Sequence, residues 1–185
     1  MSGKNTVLSV PVQLDTGMFR DFALFDVLQR QKRWKRPLLF AVLMLTFAAI
    51  CFSQVGVREG AALLGGVLTA VALGLPLVYF GMFFRSVSLQ AKKMGLSTPK
   101  SVYRVELGPD GVGMWPAGQQ DKAQPAASHD WESVYGAWRT AQAVYLYINA
   151  TRAYLLPAEE IPGGADAAWT LLGEHLPAEK LHVTR

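Results

Sequence analysis

Two stretches without an acidic or basic side chain decide what this chain can fold into. From Pro37 to Val57 there are 21 consecutive residues with no ionisable group other than Cys51. Arg58, Glu59 and Gly60 interrupt, and Ala61 to Phe84 add 24 more without Asp, Glu, Lys, Arg or His. Crossing a hydrocarbon core of about 30 Å takes about 20 helical residues at roughly 1.5 Å each, so each run is long enough to span. A pair of fully buried helices in a soluble bundle would need wrapping on every side, and a 185-residue chain has too little sequence left to do it. A cleaved signal peptide fits poorly, because the first run starts at residue 37 and a second follows directly. The three-residue connector predicts a tight helical hairpin, with the chain on either side of it returning to one face of the membrane.

The basic residues predict which face. Residues 1–36 carry 7 Lys/Arg against 3 Asp/Glu, and residues 85–104 carry 5 Lys/Arg and no acid. The connector is neutral, while residues 105–185 hold 5 Lys/Arg against 10 Asp/Glu. The net charge of +4 is therefore positive beside the membrane and negative farther along the chain. Lys and Arg near the ends of a span bias it to the cytoplasm. Arg30, Lys32, Arg33, Lys35 and Arg36 flank the first span; Arg85, Lys92 and Lys93 flank the second. The expectation is a multi-pass protein with both termini cytoplasmic. The same basic flank would attract anionic lipid headgroups, which explains the basic balance without nucleic acid.

Segregation also explains the composition. Only 17% of residues are charged and 51% are apolar, against about 25% charge in an average soluble domain. One cysteine excludes an intrachain disulfide framework.

Neither span contains a charge of the kind that marks an ion path or proton relay, so a transporter or pump is not expected. Gly66, Ala70 and Gly74 lie four apart on one face of the second span, where another helix backbone can approach closely. The expected partner is the other arm of the hairpin, with oligomerisation as the alternative. Pro76 removes an amide donor from the same helix.

Outside the membrane, residues 5–14 read as an edge strand because Pro11 interrupts them, and Asp15 or Thr16 can cap a helix that follows. Met18, Phe22, Phe25 and Leu28 share one face of that helix. The face has two candidate partners, the membrane interface and the cytoplasmic domain. Ser86–Ser97 continues the second span until Gly95, Ser97 and Pro99 break it. Alternation then signals strands at Tyr103–Leu107, Val112–Trp115, Trp131–Trp138, Val144–Ile148 and Ala153–Leu156. Gly108-Pro109-Asp110-Gly111 is a turn, residues 116–130 a polar loop, and Ala165–Leu176 a helix with Ala168, Trp169, Leu172 and Leu176 inward. The segments are thus 1–36, the hairpin 37–84 (37–57 and 61–84), a juxtamembrane helix and linker 85–98, and a β-rich domain 99–185.

No catalytic constellation is visible. His129, His175 and His182 lack ligand spacing, Cys51 has no neighbouring base, and Gly108–Gly113 is not a dinucleotide fingerprint. Glu159-Glu160 reads as a solvated loop. Trp131, Tyr135, Trp138, Tyr145, Tyr147 and Tyr154 read as sheet packing. The chain is expected to be no enzyme, with no cofactor, no metal and no small-molecule substrate.

In its order of parts the chain resembles the YcxB-like family of small bacterial membrane proteins. The parts are the short N-terminal strand, the helix around Asp21-Phe22 to Phe25, the hairpin Pro37–Phe84, Tyr103–Gly111 (YRVELGPDG), Trp131-Glu132-Ser133-Val134 and Val144–Pro157 (VYLYINATRAYLLP). The last piece is typically followed by basic residues in that family; here Ala158-Glu159-Glu160 stands instead. The resemblance implies a bacterial inner-membrane protein with a cytoplasmic, pleckstrin-homology-like sheet and a C-terminal helix, and it supplies no catalytic residue. The resulting expectation is an α+β membrane protein whose hairpin anchors a small domain. That domain would bind an unidentified protein partner or a second copy, or sense the membrane. The alternative is an accessory subunit of a transport or envelope-enzyme complex, docked through the second span.

Overall fold

The computed structural model describes residues 7–32, 34–119 and 124–184. The chain is α+β and divides into two compact units: one formed by residues 1–18 and 98–185, the other by residues 19–97. The helical unit is inserted into the first connection of the sheet unit.

The sheet unit begins with β1 (Leu8–Leu14), which pairs antiparallel with β2 (Lys100–Gly108) from Leu8↔Leu107 to Leu14↔Lys100. Val10 and Val12 of β1 and Val105 and Leu107 of β2 are fully buried, as alternation requires. Strand β1 lies at the sheet edge, where Pro11 costs no ladder bond. The register slips between Val12 and Gln13, so Val102 bulges out of the ladder. Strand β3 (Gly111–Pro116) follows a two-residue turn, with Gly108 opposite Gly111. At Gly111, φ is 144° and a side chain would collide with the His129 carbonyl, so only glycine closes this turn. A short β4 (Ala127–His129) completes the order β1-β2-β3-β4. It arises within the stretch expected to be a polar loop, whose residues 120–123 lie outside the described residues.

The second sheet has the order β7-β6-β5-β8, from β5 (Gly136–Arg139), β6 (Ala143–Tyr147), β7 (Ala153–Pro157) and β8 (Leu181–Val183), with β8 parallel to β5. All five residues of β6 are buried, so both its faces are covered. Helix α4 (Gly164–His175) packs on β5 and β6, burying Ala168, Leu171 and Leu172. Leu171 takes the inward place expected of Trp169, which is half-buried. The strand expected at Trp131–Trp138 starts only at Gly136. Trp131–Ser133 is a 3₁₀ turn, because the Trp131 indole donates to the Gly108 carbonyl at 3.0 Å and stacks on His175.

The helical unit contains most of α1 (Thr16–Phe25), continued by a π-helical turn (Asp26–Arg30). Asp15 caps α1 by accepting the Met18 amide at 2.7 Å. Helices α2 (Lys35–Ser53) and α3 (Ala61–Lys93) pack as an antiparallel pair. Helix α2 ends at Ser53, short of Val57, so the connector is the turn segment 54–60 rather than three residues. Helix α3 runs without a break from the apolar run into the helical continuation expected over Ser86–Ser97, and ends at Lys93. Both helices are long and apolar enough to cross a membrane.

Their mutual seam is narrow and made of small residues. Ala41 and Ala48 are buried on α2, with Pro37, Met44 and Cys51 half-buried at the same heptad-like spacing. Ala61, Gly65 and Ala72 are buried on α3. A methyl on Gly65 would come within 2.9 Å of the Phe52 ring, so the absent side chain sets how closely these elements approach. Outside the seam the helices stay bare: Leu39, Leu63 and Leu77 are more than 70% exposed.

Two predictions follow from these units. Ala72→Leu should destabilise the hairpin by about 1–3 kcal/mol through overpacking, while Ala70→Leu, with the same change in helix propensity at an exposed position, leaves it unchanged. Thermal unfolding of the full chain in detergent, monitored by circular dichroism, separates them; equal midpoints would contradict the seam. Replacing residues 15–99 by a four-residue Asn-Gly turn should join β1 to β2 and yield a soluble domain with cooperative urea unfolding. Residues 98–185 alone should aggregate, because the edge of β2 is then unpaired.

Candidate functional site

The basic groups next to the hairpin emerge from an unusual backbone path. At the end of the π-helical turn the Gln31 amide donates to the Asp26 carbonyl at 2.8 Å. The Asp26 carboxylate accepts from Arg30 Nε at 2.6 Å through one oxygen and from the Gln31 side-chain amide through the other. Lys32 then adopts φ 50°, the one non-glycine residue with positive φ among the described residues. The Trp34 indole donates to the Leu28 carbonyl at 3.0 Å, which holds the reversal into α2.

Of the expected basic flank, Arg30 is drawn into its pair with Asp26 and is largely buried. Lys32, Lys35 and Arg36 are exposed around the start of α2. Arg85, Lys92 and Lys93 are exposed along the last turns of α3, Lys92 and Lys93 at its C-terminus, where cations complement the helix dipole. Arg33 lies outside the described residues. A surface cavity of about 430 Å³ is lined by Gln31, Lys32, Arg36, Pro37 and Tyr79. The start of α2 is therefore level with Tyr79, and α3 continues about 20 Å past it at 1.5 Å per residue.

The expected packing stripe does not face the hairpin partner. Gly66 and Ala70 are exposed and Gly74 is half-buried, and a methyl on Gly66 or Gly74 would touch nothing within 4 Å. The buried face, at Ala61, Gly65 and Ala72, lies about 100° or more around the helix from the stripe. The stripe is an open strip on the apolar surface.

On the sheet unit, the polar groups that caught attention in the sequence are structural. Tyr103 of β2 accepts the Leu155 amide at 2.9 Å, tying the first sheet to β7 of the second. Its ring lies 5.7 Å from that of Tyr154, whose hydroxyl is 3.3 Å from His129 Nε2 on β4. Strand β7 also packs on β1, so it runs across the first sheet. Glu160, expected in a solvated loop, accepts the Gln13 amide at 2.7 Å beside the β1 irregularity. Burial raises its carboxyl above the ordinary value, opposed by that hydrogen bond and reinforced by Glu159. Burial likewise pushes the Tyr103 hydroxyl far up, against the lowering effect of the Leu155 amide. Tyr154 shifts up by burial, partly offset by Arg152.

The aromatic cluster divides. Tyr145, Tyr147 and Trp131 are core residues, whereas Tyr135 is 50% exposed and stacks near Trp138, which also stacks on His182 at 4.6 Å. Among the described residues no group of three or more His, Cys, Asp or Glu could hold a metal ion. Cys51 is half-buried on the α2 seam. No family model, curated protein or solved structure matches the chain.

The Tyr103 bridge makes alkaline stability testable. In the unfolded chain this hydroxyl titrates near 10.0, and in the folded chain well above it. The stability it confers is whole below pH 10 and falls as pH rises from there toward the folded value. Tyr103→Phe should cost about 1–3 kcal/mol at neutral pH, since the Leu155 amide loses its acceptor, and should lose less on going to about pH 10.5. Urea unfolding at the two pH values measures both effects; a parallel loss in variant and parent would contradict the assignment.

Proposed function

We propose that this chain is a non-enzymatic integral protein of a bacterial inner membrane, similar to the YcxB-like proteins. In this reading the α2–α3 hairpin anchors a small cytoplasmic domain that binds a protein partner or senses the membrane. The observation that carries the reading is the surface of the two helices. Only 11% and 17% of their most apolar stretches are buried, far below what core helices of a soluble fold show. An apolar surface bare everywhere but along one narrow seam supports a hydrocarbon surrounding.

The orientation rests on charge and connectivity. Leu14 and Lys100 are paired, so the chain leaves and re-enters the sheet unit at one place, and the hairpin must start and finish on the same side. The exposed Lys35, Arg36, Arg85, Lys92 and Lys93 support the cytoplasm as that side, by the bias of basic flanks. A pleckstrin-homology-like domain is supported by an antiparallel four-stranded meander, a three-stranded meander and a helix after them; β8 is an addition to that plan.

A second reading, an accessory subunit docked through α3, is favoured by the open strip at Gly66, Ala70 and Gly74. Leucine substitutions there would abolish a crosslink to a neighbouring spanning helix if the strip is a docking face.

Reporter fusions test the topology. A reporter fluorescent only in the cytoplasm should be bright when fused after Arg185, and dark when inserted between Arg58 and Glu59, where an exported phosphatase should be active instead. A dark C-terminal fusion would overturn the orientation.

A further inference from the structure

We propose that the crook between the π-helical turn and α2 binds the phosphate of an anionic phospholipid headgroup. The inference rests on the membrane reading above and assigns it a discrete site rather than a diffuse basic flank.

The cavity there has a volume of about 430 Å³, within the range of small-molecule sites. Among the described residues its charged lining is Lys32 and Arg36, with no acid. Neither cation has an ion-pair partner among the described residues. The nearby carboxylate, Asp26, is already engaged on one oxygen by Arg30 and on the other by Gln31. The arrangement thus withholds its own counter-charge from the cavity and leaves two cations to a ligand. An Arg guanidinium can take two phosphate oxygens through parallel N–H donors, with Lys adding a point charge. Tyr79, which carries a hydroxyl donor, lines the same cavity.

The backbone is held for this purpose at a cost. A left-handed Lys is uncommon, and it persists only where the surroundings fix it. Here the Lys35 amide donates to the Lys32 carbonyl at 3.1 Å, and the Trp34–Leu28 bond closes the turn.

The remaining walls select a lipid over a soluble phosphate. Pro37 opens the apolar run, and Leu38 and Leu39 directly beyond it are 49% and 72% exposed. A headgroup phosphate seated at Lys32 and Arg36 would leave its acyl chains along these side chains.

The test uses the full chain reconstituted in nanodiscs of phosphatidylcholine with a minority of phosphatidylglycerol, followed by native mass spectrometry of retained lipid. The parent should retain phosphatidylglycerol. Lys32→Gln with Arg36→Gln should lower retention by about tenfold or more, while Lys92→Gln with Lys93→Gln, which removes equal charge from the diffuse basic flank, should lower it by less than about twofold. Tyr79→Phe, which keeps the ring, should lower it by about two- to fivefold. Equal retention by the Lys32/Arg36 variant, or an equal fall in the Lys92/Lys93 variant, overturns the site and leaves the membrane anchor standing. Protection by free glycerol phosphate at the same concentration as lipid overturns the choice of a lipid. Failure of the parent to enter nanodiscs overturns the anchor and the site together.

Discussion

The antiparallel pairing of β1 with β2 is the interaction on which the rest of the structure depends. Its partners, Leu14 and Lys100, are separated in sequence by residues 15–99. Closing a flexible loop of that length would cost roughly 4 kcal/mol before any constant. The α2–α3 hairpin removes much of that cost, since an antiparallel helix pair already returns the chain to its start. A formed hairpin therefore lowers the entropic cost of the strand pairing. The fully buried Val10 and Val12 then bind the N-terminal strand into a sheet whose other members come after the hairpin.

The two units solve burial in opposite ways. In the sheet unit large side chains fill the interior: Tyr145, Tyr147, Leu107, Leu146, Leu156 and Leu172 are all under 2% exposed. Along the two apolar runs of the helical unit, 37–57 and 61–84, the buried positions are Ala41, Ala48, Ala61, Gly65 and Ala72, and large side chains such as Leu39, Leu63 and Leu77 are exposed. In water this second pattern would be unstable, because association would hide little apolar area. In hydrocarbon it is the expected one, because close backbone approach replaces the hydrophobic effect as the source of helix pairing. The inversion from large-inside to small-inside coincides with the two apolar runs, since Phe25, Val87 and Leu96 outside them are buried again.

Much of this was legible in the sequence where local rules govern. The two apolar runs, the Asp15 cap, the alternation of Tyr103–Leu107 and the Gly108–Gly111 turn all follow from spacing and backbone preference. What was not legible depended on partners distant in the chain. Ala127–His129 reads as part of a polar loop until β3 supplies its ladder. Trp131 reads as the start of a strand, yet its indole is claimed by Gly108, 23 residues earlier. Leu181–Val183 becomes a strand only beside β5. The packing face of α3 was not legible, since small residues line more than one side of that helix and α2 takes the side with Ala61, Gly65 and Ala72. The crook at Lys32 had no sequence signal beyond its cluster of basic residues, because a left-handed Lys is set by hydrogen bonds from Trp34 and Lys35.

The crook and the Tyr103 bridge make the same physical point from opposite sides. At Tyr103 a polar group is buried and fully partnered, so its hydroxyl is held neutral and it joins two sheets. At Asp26 a charge is partnered by Arg30 and Gln31, while Lys32 and Arg36 have no ion-pair partner among the described residues. Replacing Asp26 by Asn would free Arg30 and Gln31 as competing donors, making the region more basic yet less ordered. Added positive charge would strengthen diffuse attraction to an anionic surface, whereas loss of the Lys32 geometry would weaken a discrete headgroup site. Charge alone and charge held in place thus push that substitution in opposite directions, which is why the geometry of this turn, rather than its net charge, carries the functional argument.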